Sequence, residues 1–200
     1  MIWFEMKNIS YISTPRPGVK RGGGAAIAVH TSRFQVSKLN IFIPKPLEIV
    51  WALLKPRKPV GDIRKIILCS FYSPPYSKKR SQLIDHIHAT YNYLKLQHPG
   101  AFIIFSGDKN DLDVNQIINV NPRMRQIVTK CTRGSKILTV LITDLPEFYQ
   151  VPFVIPPVPV DEPGNGVPSD HCGILALPVS SNISLVILDK LLYYPRNLCI

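Results

Sequence analysis

The chain has 200 residues, with 24 Lys and Arg against 13 Asp and Glu, for a formal charge of +11. Its mass of 22.5 kDa fits a single domain of residues 1–200, and hydrophobic residues at 46% exclude a disordered chain. The basic excess favours a polyanionic partner, nucleic acid before an acidic membrane surface. No apolar run reaches the roughly 20 residues of a membrane span, and the opening Met1-Ile-Trp-Phe-Glu-Met-Lys7 is not a signal peptide. A soluble protein without membrane contact is expected. Cys69, Cys131, Cys172 and Cys199 lack CxxC or zinc-ligand spacing. They read as free thiols of a reducing, intracellular compartment, with Cys69 in the core.

In chain order, residues 1–20 carry Pro15, Pro17 and Gly18 and read as loop or edge. Gly22-Gly-Gly24 reads as a tight turn feeding a strand over 25–29. It lacks the remainder of either common phosphate-binding glycine motif. Strands are expected over 34–42, 49–55 and 63–72, the last ending at Ser73-Pro-Pro75. A helix follows, with Ser77 as N-cap. Leu83, Ile84, Ile87, Tyr91 and Leu94 form its apolar stripe, and Pro99-Gly100 ends it. His86 and His88 do not share a helical face and read as surface or edge residues. Strand, helix and the next strand (101–107) together imply a parallel crossover. Beyond lie a helix over 114–128 broken at Pro122, a buried strand over 136–143, an edge strand over 151–155 and a strand over 173–179. The apolar segment 183–192 is able to pack; the tail 193–200 has no assignment.

Three stretches carry candidate chemistry. Ala101-Phe-Ile-Ile-Phe-Ser-Gly-Asp-Lys-Asn110 delivers Asp108 and Asn110 at the carboxyl end of a buried strand, where open α/β sheets place working groups. A carboxylate beside a carboxamide suits a divalent cation and a phosphate oxygen, although Gly-Asp and Asn-Asp also serve as plain turn chemistry. Pro168-Ser-Asp-His171 pairs a carboxylate with an imidazole able to take a proton from water or hydrogen-bond a phosphate. A solvated loop explains that tripeptide equally well. Tyr72, at a strand end, can bond a phosphate oxygen or cap the core.

Taken in order, Arg21-Gly-Gly-Gly24, Phe71-Tyr-Ser-Pro-Pro75, Gly107-Asp-Lys-Asn110, Ile137-Leu-Thr-Val-Leu-Ile-Thr143 and Pro168-Ser-Asp-His171 resemble the endonuclease/exonuclease/phosphatase superfamily. More narrowly, the chain is similar to the apurinic-type endonuclease domain of non-long-terminal-repeat retrotransposons, over about 16–178. The resemblance implies an α/β fold of two packed β-sheets flanked by helices, a four-layer sandwich with its N-terminal strands missing. It also implies Mg²⁺-dependent (Mn²⁺ as alternative) hydrolysis of DNA phosphodiesters, a nuclear location and association with a reverse transcriptase. Asp108 would orient or deprotonate water with help from Asn110, His171 and Tyr72 would contact the phosphate, and Asp170 and Asp108 would serve the metal. No protein partner is evident.

Four positions depart from the family pattern. Its first strand ends in Asn and its second in a metal-binding Glu, and neither has a counterpart upstream of Arg21; Glu5 lies too close to the glycines. The Asp that would orient His171 is Thr139. Lys109 replaces the aromatic that usually follows Gly-Asp. An alternative therefore stands beside the enzyme: a non-catalytic, basic nucleic-acid-binding remnant.

Overall fold

A computed structural model describes residues 8–15, 24–59, 61–157, 171–179 and 187–189. Its centre is a six-stranded mixed sheet. β1 (Ile9–Pro15) and β2 (Gly24–His30) pair with each other outside that sheet. β3 (Phe34–Lys38), β4 (Glu48–Pro56), β5 (Ile66–Tyr72), β6 (Phe102–Asp108), β7 (Arg125–Gln126) and β8 (Thr139–Thr143) form the sheet, in the order β3-β4-β5-β6-β8-β7. Only β5 and β6 run parallel there; every other neighbour is antiparallel. A parallel pair needs a long crossover, supplied by helix α1 (Arg80–Gln97).

Alternation along the strands divides the core in two. One face carries Ile49, Trp51, Ile67, Phe71, Phe105 and Val140, packed against the stripe Leu83, Ile84, Ile87, Tyr91 and Leu94 of α1 and against Ile117 of α2 (Val114–Ile118). The other carries Val50, Ala52, Ile66, Ile104 and Leu141. It is covered by Ala25, Ile27 and Val29 of β2 and by Ile174 and Ala176 of β10 (Gly173–Ala176). β10 lies between β9 (Phe153–Ile155) and β11 (Ile187–Asp189) in a three-stranded sheet. The chain thus has the expected α/β architecture, a large sheet with a smaller second layer. Among the described residues both α-helices lie on one side of the large sheet.

A buried carboxylate ties the far end of α1 to the sheet. Asp144 accepts from the Ile103 amide at 2.8 Å and from Lys95 Nζ at 2.9 Å, so the crossover helix, β6 and the end of β8 are fastened at one point. The pairing satisfies a charge that would otherwise be costly to bury.

Several elements differ from expectation, each for a local reason. β1 falls where loop was expected; Ile9-Ser-Tyr-Ile-Ser-Thr14 is rich in β-branched and aromatic residues that suit a pleated surface. The strand expected over 34–42 stops at Lys38, and the passage toward Pro44 and Pro46, which lack amide donors, leaves the sheet while Leu39, Ile41 and Ile43 still pack on the core. The helix expected over 114–128 lasts one turn, and Arg125 and Gln126 extend the sheet instead. Ser77 is not the helix cap: its Oγ accepts from the Lys79 amide, one turn ahead of the helix. His86 is half-buried rather than superficial, and its Nε2 accepts from Trp51 Nε1 at 3.3 Å. Burial lowers its pKa. His88 contacts the Gln116 carbonyl of α2 through Nε2 at 2.6 Å. Cys69 is fully buried, as expected, and burial raises its thiol pKa. The turn at Gly22 and Gly23 and the tail 193–200 lie outside the described residues. No helix among those residues is long and apolar enough to cross a membrane.

Gly107 is a required close approach within this sheet. A Cβ there would overlap the carbonyl oxygen of Phe71 on β5 and come within 3.0 Å of its ring Cγ. Backbone cannot yield as a flexible side chain does, so Gly107→Ala is expected to destabilise the fold by about 3 kcal/mol or more, above the usual cost of core overpacking. A denaturant melt against the parent chain checks this, and an unchanged midpoint would contradict it.

Candidate active site

The site begins with a register. Glu48 pairs with Tyr72, Tyr72 with Asp108, and Asp108 with Thr139, across β4, β5, β6 and β8. Residues directly opposite in a ladder project to the same face. Glu48 and Thr139 open their strands, Tyr72 and Asp108 close theirs, and the whole row comes to one edge of the sheet. With strands about 4.8 Å apart, the row spans roughly 14 Å. Its face is the one covered by the second layer, because Val50, Ser70, Ser106 and Leu141 form the next row inward.

Asp108 is 4% exposed. His171, immediately before β10 in the second layer, places Nε2 3.7 Å from Asp108 Oδ2. The protonated imidazole would form an ion pair with that carboxylate, the neutral one a polar contact. Arg133 Nη1 stands 3.5 Å from the same Nε2. Two residues more than 60 apart in sequence are therefore joined across the two layers.

Asn110 does not continue the strand. Its φ of 45° is left-handed, a conformation asparagine tolerates better than most residues. Its amide N–H donates to Asp108 Oδ1 at 3.2 Å, and its Nδ2 donates to the Ser73 carbonyl at 2.8 Å. The Ser73 amide in turn donates to the Asp108 carbonyl at 2.9 Å. Asn110 thus locks the loop after β6 to the loop after β5, holding Asp108 and Tyr72 side by side. An extended chain would project Asp108 and Asn110 to the same side; the left-handed turn at Asn110 replaces that geometry.

Among the sequence candidates, Tyr72, Asp108, Asn110 and His171 converge at this edge; Asp170 lies outside the described residues. Three further residues were not singled out from sequence. Glu48 is 6% exposed, and its Oε2 accepts from the Gly24 amide at 2.7 Å, a bond from the second layer into the row. A lone acid heading a buried six-residue apolar run, Ile49 to Leu54, is its sequence signal. Glu48 thus brings a second carboxylate to the row, from β4. Arg133 sits in a tight turn, 132–136, with Gly134 left-handed at φ 53°.

Thr132 anchors that turn. Its Oγ1 accepts from the amides of Leu138 and Thr139 at 2.9 and 3.0 Å, and its carbonyl accepts from the Cys172 amide at 2.8 Å. One buried residue therefore sets both the start of β8 beside Asp108 and the approach of His171. Thr139 contrasts with it: equally buried, its Oγ1 has no hydrogen-bond partner among the described residues.

The donors match a hard divalent cation. Mg²⁺ is commonly held by one or two carboxylates, with waters and substrate phosphate completing the shell, and Asp108 and Glu48 offer carboxylates on one face. No cluster of three or more acidic, His or Cys residues placed to hold a metal occurs among the described residues.

Comparison with protein-family models and with curated protein sequences finds no match. Solved structures do match in fold. An endonuclease/exonuclease/phosphatase family protein from Bacteroides thetaiotaomicron superposes with a TM-score of 0.62 at 14% identity, over 85% of this chain and 73% of that one. A mannosyl-6-phosphatase from the same organism gives 0.59 at 12% identity, over 87% and 78%. TDP2 from D. rerio, complexed with single strand DNA product, gives 0.57 at 14%, over 86% and 77%. The fold is that of the endonuclease/exonuclease/phosphatase superfamily.

The two buried threonines should behave oppositely. Thr132→Val strands two amide donors and is expected to cost about 1–3 kcal/mol for each. Thr139→Val removes a hydroxyl with no partner among the described residues and is expected to leave stability unchanged or slightly raised. Parallel thermal melts test the pair, and equal losses would contradict the bonding described.

Proposed function

We propose that this chain is a divalent-cation-dependent phosphodiesterase acting on nucleic acid, DNA in particular, as an endonuclease of the retrotransposon type. The observation that carries the reading is the 3.7 Å approach of His171 to Asp108 at the end of the Glu48–Tyr72–Asp108–Thr139 row. Phosphodiester hydrolysis needs an oriented water, a donor for the developing phosphate charge and neutralisation of the leaving oxygen.

In this reading Asp108 orients the attacking water and accepts its proton. Asn110, whose Nδ2 is engaged with Ser73, uses its side-chain carbonyl to position the same water. His171, in its protonated form, donates to a non-bridging phosphate oxygen. The Tyr72 hydroxyl donates to a second phosphate oxygen. Asp108 and Glu48, with Asp170, would hold Mg²⁺ or Mn²⁺, which supplies charge neutralisation on the phosphate and leaving oxygen. The surplus of 24 basic over 13 acidic residues favours a polyanionic substrate over a small phosphate ester. Association with a reverse transcriptase and a nuclear setting belong to the same reading.

Thr139 favours a second one. A hydroxyl cannot stabilise an imidazolium as a buried carboxylate does, so the fold would then serve as a basic, non-catalytic nucleic-acid-binding domain.

Nicking of supercoiled plasmid separates the two. Mg²⁺-dependent nicking that chelation abolishes is expected, with Asp108→Ala and His171→Ala each lowering the rate by about 10²-fold or more. Nicking indifferent to both substitutions would sink the site assignment. A folded chain that binds DNA without cutting it would favour the second reading.

A further inference from the structure

Beside the Glu48–Tyr72 end of the row opens a groove of about 370 Å³, whose lining includes Glu48, Tyr72, Ser77, Lys78, Lys79 and Arg80. The loop between Tyr72 and α1 forms one wall, and Tyr76 is on that loop. Tyr76 is 88% exposed, with its aromatic ring unburied. Isolated exposed apolar residues are ordinary; the backbone beneath this one is not. Its φ of 55° is left-handed, which is unfavourable for a bulky side chain and persists only where the surroundings impose it.

Here they do. Asp111 Oδ2 accepts from the Tyr76 amide at 3.2 Å, and the Arg80 guanidinium pairs with the same carboxylate oxygen. Pro74 and Pro75 stiffen the approach, and the Ser77 amide donates to the Pro74 carbonyl at 3.3 Å. Asp111 follows Asp108 by three residues, so the loop that leaves β6 at Asp108 also fixes the loop carrying the ring. Tyr76 lies four positions beyond Tyr72, a reach of at most ~14 Å.

We infer that Tyr76 is a nucleobase-stacking residue. It takes the face of an unpaired base in the strand bound at the site, while Lys78 and Lys79 hold that strand's phosphates in the groove. The inference rests on the nucleic-acid reading above and adds to it a preference for an unstacked, single-stranded nucleotide next to the reacting phosphate. A ring presented on a rigid loop loses little conformational freedom on stacking, every base offers a π-face, and adjacent cations supply the sequence-independent attraction.

The test measures binding rather than cleavage. Fluorescence anisotropy of a labelled single-stranded oligonucleotide, in chelator and at low salt, is compared with that of an abasic deoxyribose-phosphate oligomer of equal length and charge. Tyr76→Ala is expected to weaken binding of the base-bearing strand by ~5- to 150-fold, the range of one lost stack. The abasic oligomer should bind the variant as it binds the parent chain. Tyr76→Phe, which keeps the ring, should stay within about twofold of the parent on both. Unchanged binding of the base-bearing strand by Tyr76→Ala, or an equal loss on both oligomers, overturns the stacking role alone. Failure of the parent chain to bind either oligomer overturns the nucleic-acid reading and the stacking role with it.

Discussion

The alignment of Glu48, Tyr72, Asp108 and Thr139 in one row is the constraint on which the rest of the site depends. Each strand could form its ladder in another register, but a slip of one residue would turn Asp108 and Tyr72 to the helix-covered face. The crossover through α1 makes the β5–β6 pair parallel, so Tyr72 and Asp108 end their strands together. The antiparallel flanks then bring the first residues of β4 and β8 to the same edge. Buried apolar side chains on both faces specify this register, because a slip would exchange two dissimilar cores.

The row is completed from the second layer. Gly24 of β2 donates to Glu48, and His171, at the entrance to β10, approaches Asp108. Both contacts depend on β2 and β10 packing over Val50, Ile104 and Leu141. Thr132 makes the connection rigid at its other end, with its hydroxyl on the β8 amides and its carbonyl on Cys172. A buried acid beside an imidazole is costly to desolvate unless its lone pairs find donors. Asp108 meets that demand with the Asn110 amide and with the imidazole that the second layer brings to it.

Much of this was legible in the chain because its signals are local. The apolar run Phe102–Phe105 ending at Ser106-Gly-Asp108 marks a buried strand with a polar terminus, and the helical spacing of Leu83, Ile87, Tyr91 and Leu94 marks the crossover. The short β1 was missed because prolines and a glycine follow it closely. The single turn of α2 was overextended because apolar residues continue at helical spacing to Val128, where a neighbouring strand was available to capture Arg125 and Gln126. Tertiary pairing overrode propensity there.

Local pattern in the chain sets the crossover helix between its two strands, the alternation that gives each strand two faces, and the polar residues at the ends of β5 and β6. It does so because alternation and helical periodicity are properties of neighbouring residues. That Glu48 joins Tyr72 and Asp108, that Asn110 turns back to Ser73, that the Thr132 hydroxyl takes the β8 amides and that His171 reaches Asp108 could not be read from any local pattern. Those placements follow from strand register and the packing of two layers, in which residues tens of positions apart meet only after the whole core has been buried.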